Sequence, residues 1–168
     1  RRSSDLVKKI DRNGRATEFQ YDELDRMTTE SWVAGGNVIN YDYDAAGNLT
    51  SVGDAFSSLA FTFDNRDRAK AVDNIGTPLA PRVVLQYNFD GVGNVLSVGD
   101  SINGSAGSLA SYGYDALNRM TTIAQSGDGH GDKRVDLAYS QIGQFASINR
   151  YSNLSGTQLV VEIGRAHV

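Results

Sequence analysis

"YDAAGNL", residues 43–49, reads as a tight turn set between apolar residues, and near-copies stand at "FDGVGNV" (89–95) and "YDALNRM" (114–120). Aligning the whole chain on this stretch gives seven copies, starting at Ile10, Tyr21, Tyr43, Phe63, Phe89, Tyr114 and Tyr139. The second position holds Asp11, Asp22, Asp44, Asp64, Asp90, Asp115 and Ser140. The fifth position decides the reading, because it holds Gly14, Asp25, Gly47, Asp67, Gly93, Asn118 and Gly143. These are the three residue types that enter the left-handed αL region at least cost. They make up 46 of the 168 residues, so seven matches in seven by chance has odds on the order of 1 in 10,000.

An Asp at the first turn position accepts hydrogen bonds from backbone N–H groups ahead of it, two right-handed residues follow, and an αL residue closes the loop. That is a three-residue hairpin with a G1 bulge. The seventh position is apolar throughout (Ala16, Met27, Leu49, Ala69, Val95, Met120, Phe145), so the outgoing strand resumes its apolar face directly after the turn. Incoming strands alternate as Ile39-Tyr41-Tyr43, Leu59-Phe61-Phe63, Leu85-Tyr87-Phe89 and Leu137-Tyr139, one row of large side chains on one sheet face. Eleven of the fourteen Phe and Tyr residues stand at the first motif position or two before it, which marks them as packing residues.

Motif starts are 11, 22, 20, 26, 25 and 25 residues apart, so most intervals hold two strands and a return turn. Strand-breaking composition places the returns at Gly35-Gly36-Asn37, Gly53-Asp54, Asp73 to Pro78, Asp100 to Gly107 and Gly127 to Asp132. The first interval has room for one strand only, which puts its two turns on opposite sheet edges. The expectation is an all-β antiparallel meander of ten to fourteen strands. At about 4.8 Å per strand it would be roughly 50 to 65 Å wide, and such a sheet curls into a curved open strip.

Composition narrows the function classes. Net charge is −4, with no basic cluster beyond the Arg1-Arg2 and Lys8-Lys9 pairs, which speaks against nucleic acid as a partner. There is no cysteine, hence no disulfide or thiolate metal site. No run of about 18 apolar residues is present to span a membrane. The chain begins with Arg1 rather than Met and is read as a fragment, any signal peptide lying upstream.

"YDELDRMTTE" (21–30), "YDAAGNLTSV" (43–52) and "YDALNRMTTI" (114–123) resemble the YD-x-x-G-R-L-T unit of the RHS/YD-repeat family, and "DRNGRATEFQYDELDRMT" (11–28) resembles its double motif. The resemblance covers about residues 5 to 155. That family includes bacterial Rhs polymorphic toxins, shell components of Tc insecticidal toxins and the teneurins. The resemblance implies a strip of a larger hollow β-shell, without catalysis, in a secreted or cell-surface protein. Its partners would be the rest of the repeat shell and an enclosed C-terminal toxin domain. The family's Asp-Pro self-cleaving junction has no counterpart here, where the prolines are Pro78 and Pro81. Two copies depart from the pattern: "FDNRDRAK" (63–70) carries Lys70 where Thr is usual, and "YSQIGQFA" (139–146) has Ser140 for Asp, so both turns are expected to be looser. The terminal "EIGRAHV" (162–168) breaks the pattern and resembles translated adapter sequence, so the repeat segment is taken as residues 1–161.

Three sharper features compete with plain structure. "GDSI" (99–102) would make Ser101 an esterase nucleophile, but Val98-Gly99-Asp100 sits where Val52-Gly53-Asp54 sits after an earlier copy and reads as a return turn. "GDGHGD" (127–132) offers Asp128, His130 and Asp132 at alternate positions, but lacks the downstream bidentate Glu of a calcium loop and reads as a solvated hairpin end. No catalytic, cofactor or metal residue is therefore assigned. The alternative function is a carbohydrate-binding or adhesive module, for which Trp32, Phe56 and Tyr151 supply the aromatic faces outside the packing rows. Arg15, Arg26, Arg68 and Arg119, at the sixth position, are expected at the sheet rim, paired with motif carboxylates. Substituting the motif glycines Gly47 and Gly93 is expected to cost more than substituting Gly36, which lies outside the motif.

Overall fold

The computed structural model describes residues 7–127, 129 and 131–164. Asp128, His130 and His167 lie outside these. The chain divides into two compact units at Val83/Val84. Among the described residues every regular element is a strand, and no helix is long and apolar enough to cross a membrane.

The first unit contains β1 (Lys8–Ile10), β2 (Ala16–Tyr21), β3 (Met27–Trp32), β4 (Asn37–Tyr43), β5 (Leu49–Gly53), β6 (Ser58–Phe63) and β7 (Ala69–Asp73). The second contains β8 (Val83–Phe89), β9 (Val95–Ile102), β10 (Ser105–Tyr114), β11 (Met120–Gly127), β12 (Lys133–Tyr139), β13 (Phe145–Tyr151) and β14 (Leu159–Gly164). Within each unit the strands lie in sequence order, and β1 to β7 and β9 to β14 pair antiparallel with their neighbours. The expected meander is thus what forms. In the first unit the turn after β1 lies on one edge, and those after β2, β4 and β6 lie on the other, as the 11-residue first interval requires.

Register follows the motif. The first-position residue faces the seventh across the turn: Ile10 opposite Ala16, Tyr21 opposite Met27, Tyr43 opposite Leu49, Phe63 opposite Ala69, Tyr114 opposite Met120 and Tyr139 opposite Phe145. In the last five of these the ladder slips by one residue just before the aromatic, which is the bulge an αL-closed three-residue loop imposes. The Tyr139 and Phe145 rings stack with centroids 5.0 Å apart, an arrangement worth about 0.5–1.5 kcal/mol beyond its area.

Alternation is visible strand by strand. In β4, Ile39, Tyr41 and Tyr43 are half-buried while Val38, Asn40 and Asp42 are exposed. All eleven motif-placed Phe and Tyr side chains are half-buried, whereas Phe56 and Phe145 are exposed. No described side chain is fully buried, whether apolar or polar. A sheet acquires a core only when a second layer covers one face, and within each unit the extensive strand contacts are those between sequence neighbours.

Four of the five expected returns hold: residues 33–36, 54–57, 74–82 and the segment between Gly127 and Lys133. The longest is tied down at Asn74, whose carboxamide oxygen accepts from Val83 N–H (2.6 Å), and at Thr77, whose hydroxyl donates to Ser58 C=O (3.0 Å). The fifth return is corrected. Asp100 lies inside β9 and Gly107 inside β10, and the chain reverses at Asn103-Gly104, with φ of 50° and 84°. Two consecutive left-handed residues match a type I′ hairpin turn. Gly99-Asp100 marks a register irregularity in this hairpin instead, the Asp100 carboxylate accepting from Ser108 N–H. Residues 162–164 continue β14, opposite Ser147 to Asn149.

Candidate functional site

The recurring chemistry of this chain lies in the turns. At each copy the fifth residue has positive φ: Gly14 76°, Asp25 62°, Gly47 96°, Asp67 58°, Gly93 111°, Asn118 58° and Gly143 81°. The second-position N–H donates to the sixth-position C=O in all seven, at 2.7–3.0 Å (2.9 Å for Asp22 to Arg26). In six copies the fifth-position N–H returns to the second-position C=O, as from Asp25 to Asp22 (3.1 Å) and Asn118 to Asp115 (3.0 Å), while Gly93 N–H donates to Asp90 Oδ1 (2.7 Å).

The Asp side chain organises the rest. In Asp22, Oδ1 accepts from the backbone N–H groups of Leu24 (2.9 Å) and Arg26 (3.0 Å), and Oδ2 accepts from Arg26 Nε (2.7 Å). Asp115 repeats this with Leu117 and Arg119, and Asp64 with Arg66 and Arg68. Where the sixth residue is Asn, its Nδ2 takes the Arg's place: Asn48 on Asp44 (3.0 Å) and Asn94 on Asp90 (2.8 Å). Hydrogen bonds to the ionised form lower a carboxyl pKa. The Arg68 side chain, ahead of its backbone N–H contacts, holds Asp64 down to about 2. Asp115 is lowered by the Arg119 side chain first, Asp44 by the Asn48 side chain, and Asp22 by the Arg26 backbone N–H.

The two departing copies behave differently from each other. The turn at Asp64 keeps every bond, because Lys70 stands in β7, beyond the loop, with its side chain exposed. At Ser140 the backbone turn closes, but a single side-chain bond remains, Gln144 N–H to Ser140 Oγ at 3.2 Å. A hydroxyl has one oxygen where the carboxylate has two.

Neighbouring turns also touch. The Tyr43 hydroxyl donates to Met27 C=O (2.9 Å), Tyr114 to Val95 C=O (2.9 Å) and Tyr139 to Met120 C=O (2.7 Å), so these three first-position Tyr side chains reach back to the seventh residue of the preceding turn. The Arg26 guanidinium lies 4.7 Å from the Tyr43 ring centre and that of Arg119 4.4 Å from Tyr139, a contact worth about 0.5–1 kcal/mol at exposed sites. Sequence reading finds the Asp–Arg pairs but not these links, which need the register before they can be drawn.

Among the other candidates, Ser101 stands in β9 opposite Ala106, not in a turn. No described group of three or more His, Cys, Asp or Glu is placed to hold a metal, and Asp128 and His130 are outside the described residues. Trp32 is 49% exposed with its indole N–H on Glu30 (2.8 Å), Phe56 is 73% exposed in the β5–β6 return, and Tyr151 ends β13 in the other unit. Gly36 is itself left-handed (φ 67°), so the expected leniency there is withdrawn.

Residues 3–31, which include the double turn, match the family profile of the RHS repeat. That stretch carries an RHS repeat. No curated protein matches the chain significantly in sequence. Among solved structures, the fold of this chain is similar to the crystal structure of TcdB2-TccC3-TEV, with a TM-score of 0.69 over 92% of this chain at 16% identity. It is also similar to a Tc holotoxin pore of Photorhabdus luminescens (TM-score 0.52, 89% of this chain, 12% identity). A third likeness is to TcdB2-TccC3 without its hypervariable C-terminal region (TM-score 0.50, 95% of this chain, 12% identity). The chain spans 9–11% of the length of these chains. At such identities the likeness speaks to the fold.

Proposed function

We propose that this RHS-repeat chain is a structural segment of the wall of an encapsulating β-shell, in a toxin delivered outside the cell that makes it. One observation carries the reading: seven closed turns order two meanders in which no described side chain is fully buried. Such a sheet has its bonding specified and its faces left for something else to cover. Similarity to Tc toxin structures over most of the chain supports the same reading. The wall's partners would be further repeats and an enclosed domain. Nothing in the placement of Trp32, Phe56 and Tyr151 favours carbohydrate over this.

The reading frame that encodes these residues provides the test. Its complete product, solved by electron microscopy, should show further YD turns at similar spacing and strands continuing into a closed wall around a lumen. A product without further copies, folded as a free-standing sheet, would contradict the proposal.

A further inference from the structure

The contacts between adjacent turns sort into two kinds, and the kind depends on the residues at both ends. Arg26 reaches past its own Asp22 to the next turn, where Nη1 donates to Asp44 C=O (3.1 Å) and the guanidinium covers the Tyr43 ring. The fifth residue of that next turn is Gly47, and a Cβ there would stand 4.0 Å from the same Nη1. Arg119 repeats the arrangement over Tyr139, with Gly143 the fifth residue and a Cβ at 3.9 Å. The Cβ itself would be in ordinary contact, and a longer side chain turned toward the guanidinium would compete with it for space.

Asn behaves otherwise. Asn48 Nδ2 has two hydrogens: one goes to its own Asp44 (3.0 Å) and the other to Oδ1 of Asp67, the fifth residue of the next turn (2.9 Å). Asn94 Nδ2 divides itself likewise between Asp90 (2.8 Å) and Oδ1 of Asn118 (3.0 Å). The short amide stops well before the neighbouring ring and needs an acceptor brought to it, which glycine cannot supply. Along the sequence the sixth residues at 26, 48, 68, 94 and 119 run Arg, Asn, Arg, Asn, Arg. The fifth residues one copy later, at 47, 67, 93, 118 and 143, run Gly, Asp, Gly, Asn, Gly.

We propose that the sixth residue of one turn and the fifth residue of the next form a neighbour-matching pair, Arg with Gly or Asn with Asp/Asn, which specifies which YD turn can lie beside which. The partner this rim fits is another YD turn of matching type. The pairing acts through volume and hydrogen-bond complementarity at a single contact, so it discriminates against the mixed pairs: Arg meets an obstructing side chain, and Asn meets no acceptor. It does not depend on what the wall encloses.

A double-mutant cycle on the full chain tests it. Asn94→Arg and Asn118→Gly are made singly and together, with the thermal midpoint and the protection of the residue-118 backbone amide, relative to its unfolded exchange rate, measured for each. The matched double variant should unfold about 2–4 °C above the midpoint predicted by adding the two single shifts, with the residue-118 amide better protected than in Asn94→Arg alone. Asn118→Asp, which keeps the acceptor, should leave the midpoint within about 1 °C of the parent. If Asn94→Arg alone does not fold, its recovery by Asn118→Gly is the coupling itself. Additive shifts, or a double variant that is not recovered, would overturn the proposal.

Discussion

At the scale of the residue, the turn works because one backbone position is left-handed and one carboxylate is ionised. Gly47 and Gly93 sit at φ of 96° and 111°, where a β-branched side chain meets the following carbonyl. Gly47→Val and Gly93→Val should each lower stability by at least about 1–2 kcal/mol in chemical unfolding. Gly91 lies in the same loop as Gly93 but without positive φ, and a Cβ added there would meet nothing within 4 Å. It is the proper control; Gly91→Ala should be neutral or stabilise by up to about 1 kcal/mol. Asp64 supplies the pH dependence. Its folded pKa, about 2 against an ordinary 3.8, is depressed, so the unfolded chain binds the proton more readily and the stabilisation is complete above the ordinary value. It is lost as pH falls through the interval down to about 2. Acid unfolding of Asp64→Asn should therefore be shallower than that of the parent below about pH 4, and equal steepness would contradict the assignment. The left-handed position is legible in the sequence because only three residue types fill it in all seven copies. Gly36 escapes that reading because its φ comes from a return turn outside the repeat, and a lone Gly does not announce its conformation.

At the scale of the element, the β9–β10 hairpin shows where local reading falls short. Asn103-Gly104 is a strong two-residue hairpin signal, yet the cluster of Gly, Asp and Ser around it spreads the expected turn over residues 100–107. The structure uses those small residues differently. A Cβ on Gly107 would overlap the Asp100 carboxylate that accepts from Ser108 N–H, so β10 needs glycine there because β9 carries Asp. Gly107→Ala should cost about 1–3 kcal/mol in thermal or urea unfolding, and adding Asp100→Ala should return part of that loss. Gly99→Ala, whose Cβ would meet Leu109 Cδ1 at an ordinary 3.5 Å, should cost less than Gly107→Ala. The turn-to-turn links are hidden from the sequence for a related reason. Tyr43 and Met27 are sixteen residues apart, and only the pairing of β3 with β4 brings the hydroxyl of one to the carbonyl of the other.

At the scale of the whole molecule, both units have ordered strand bonding but no fully buried side chain among the described residues. Half-buried aromatic rows and exposed residues such as Leu59, Leu96 and Leu109 face solvent, and β1 and β14 each have one strand partner within their units. Unpaired strand edges and uncovered apolar faces favour association. Expressed by itself, the chain should bind an apolar-surface dye in its folded state and associate with rising concentration, which light scattering measures. One αL-closed turn, repeated seven times, orders both meanders, and residue-resolved amide exchange on the dilute full chain tests this most directly. Slow exchange is expected at the second-position amides of all seven copies, from Asp11 to Ser140, since each donates to the sixth-position carbonyl. Fast exchange at these amides beside slow exchange at their flanking strands would contradict it.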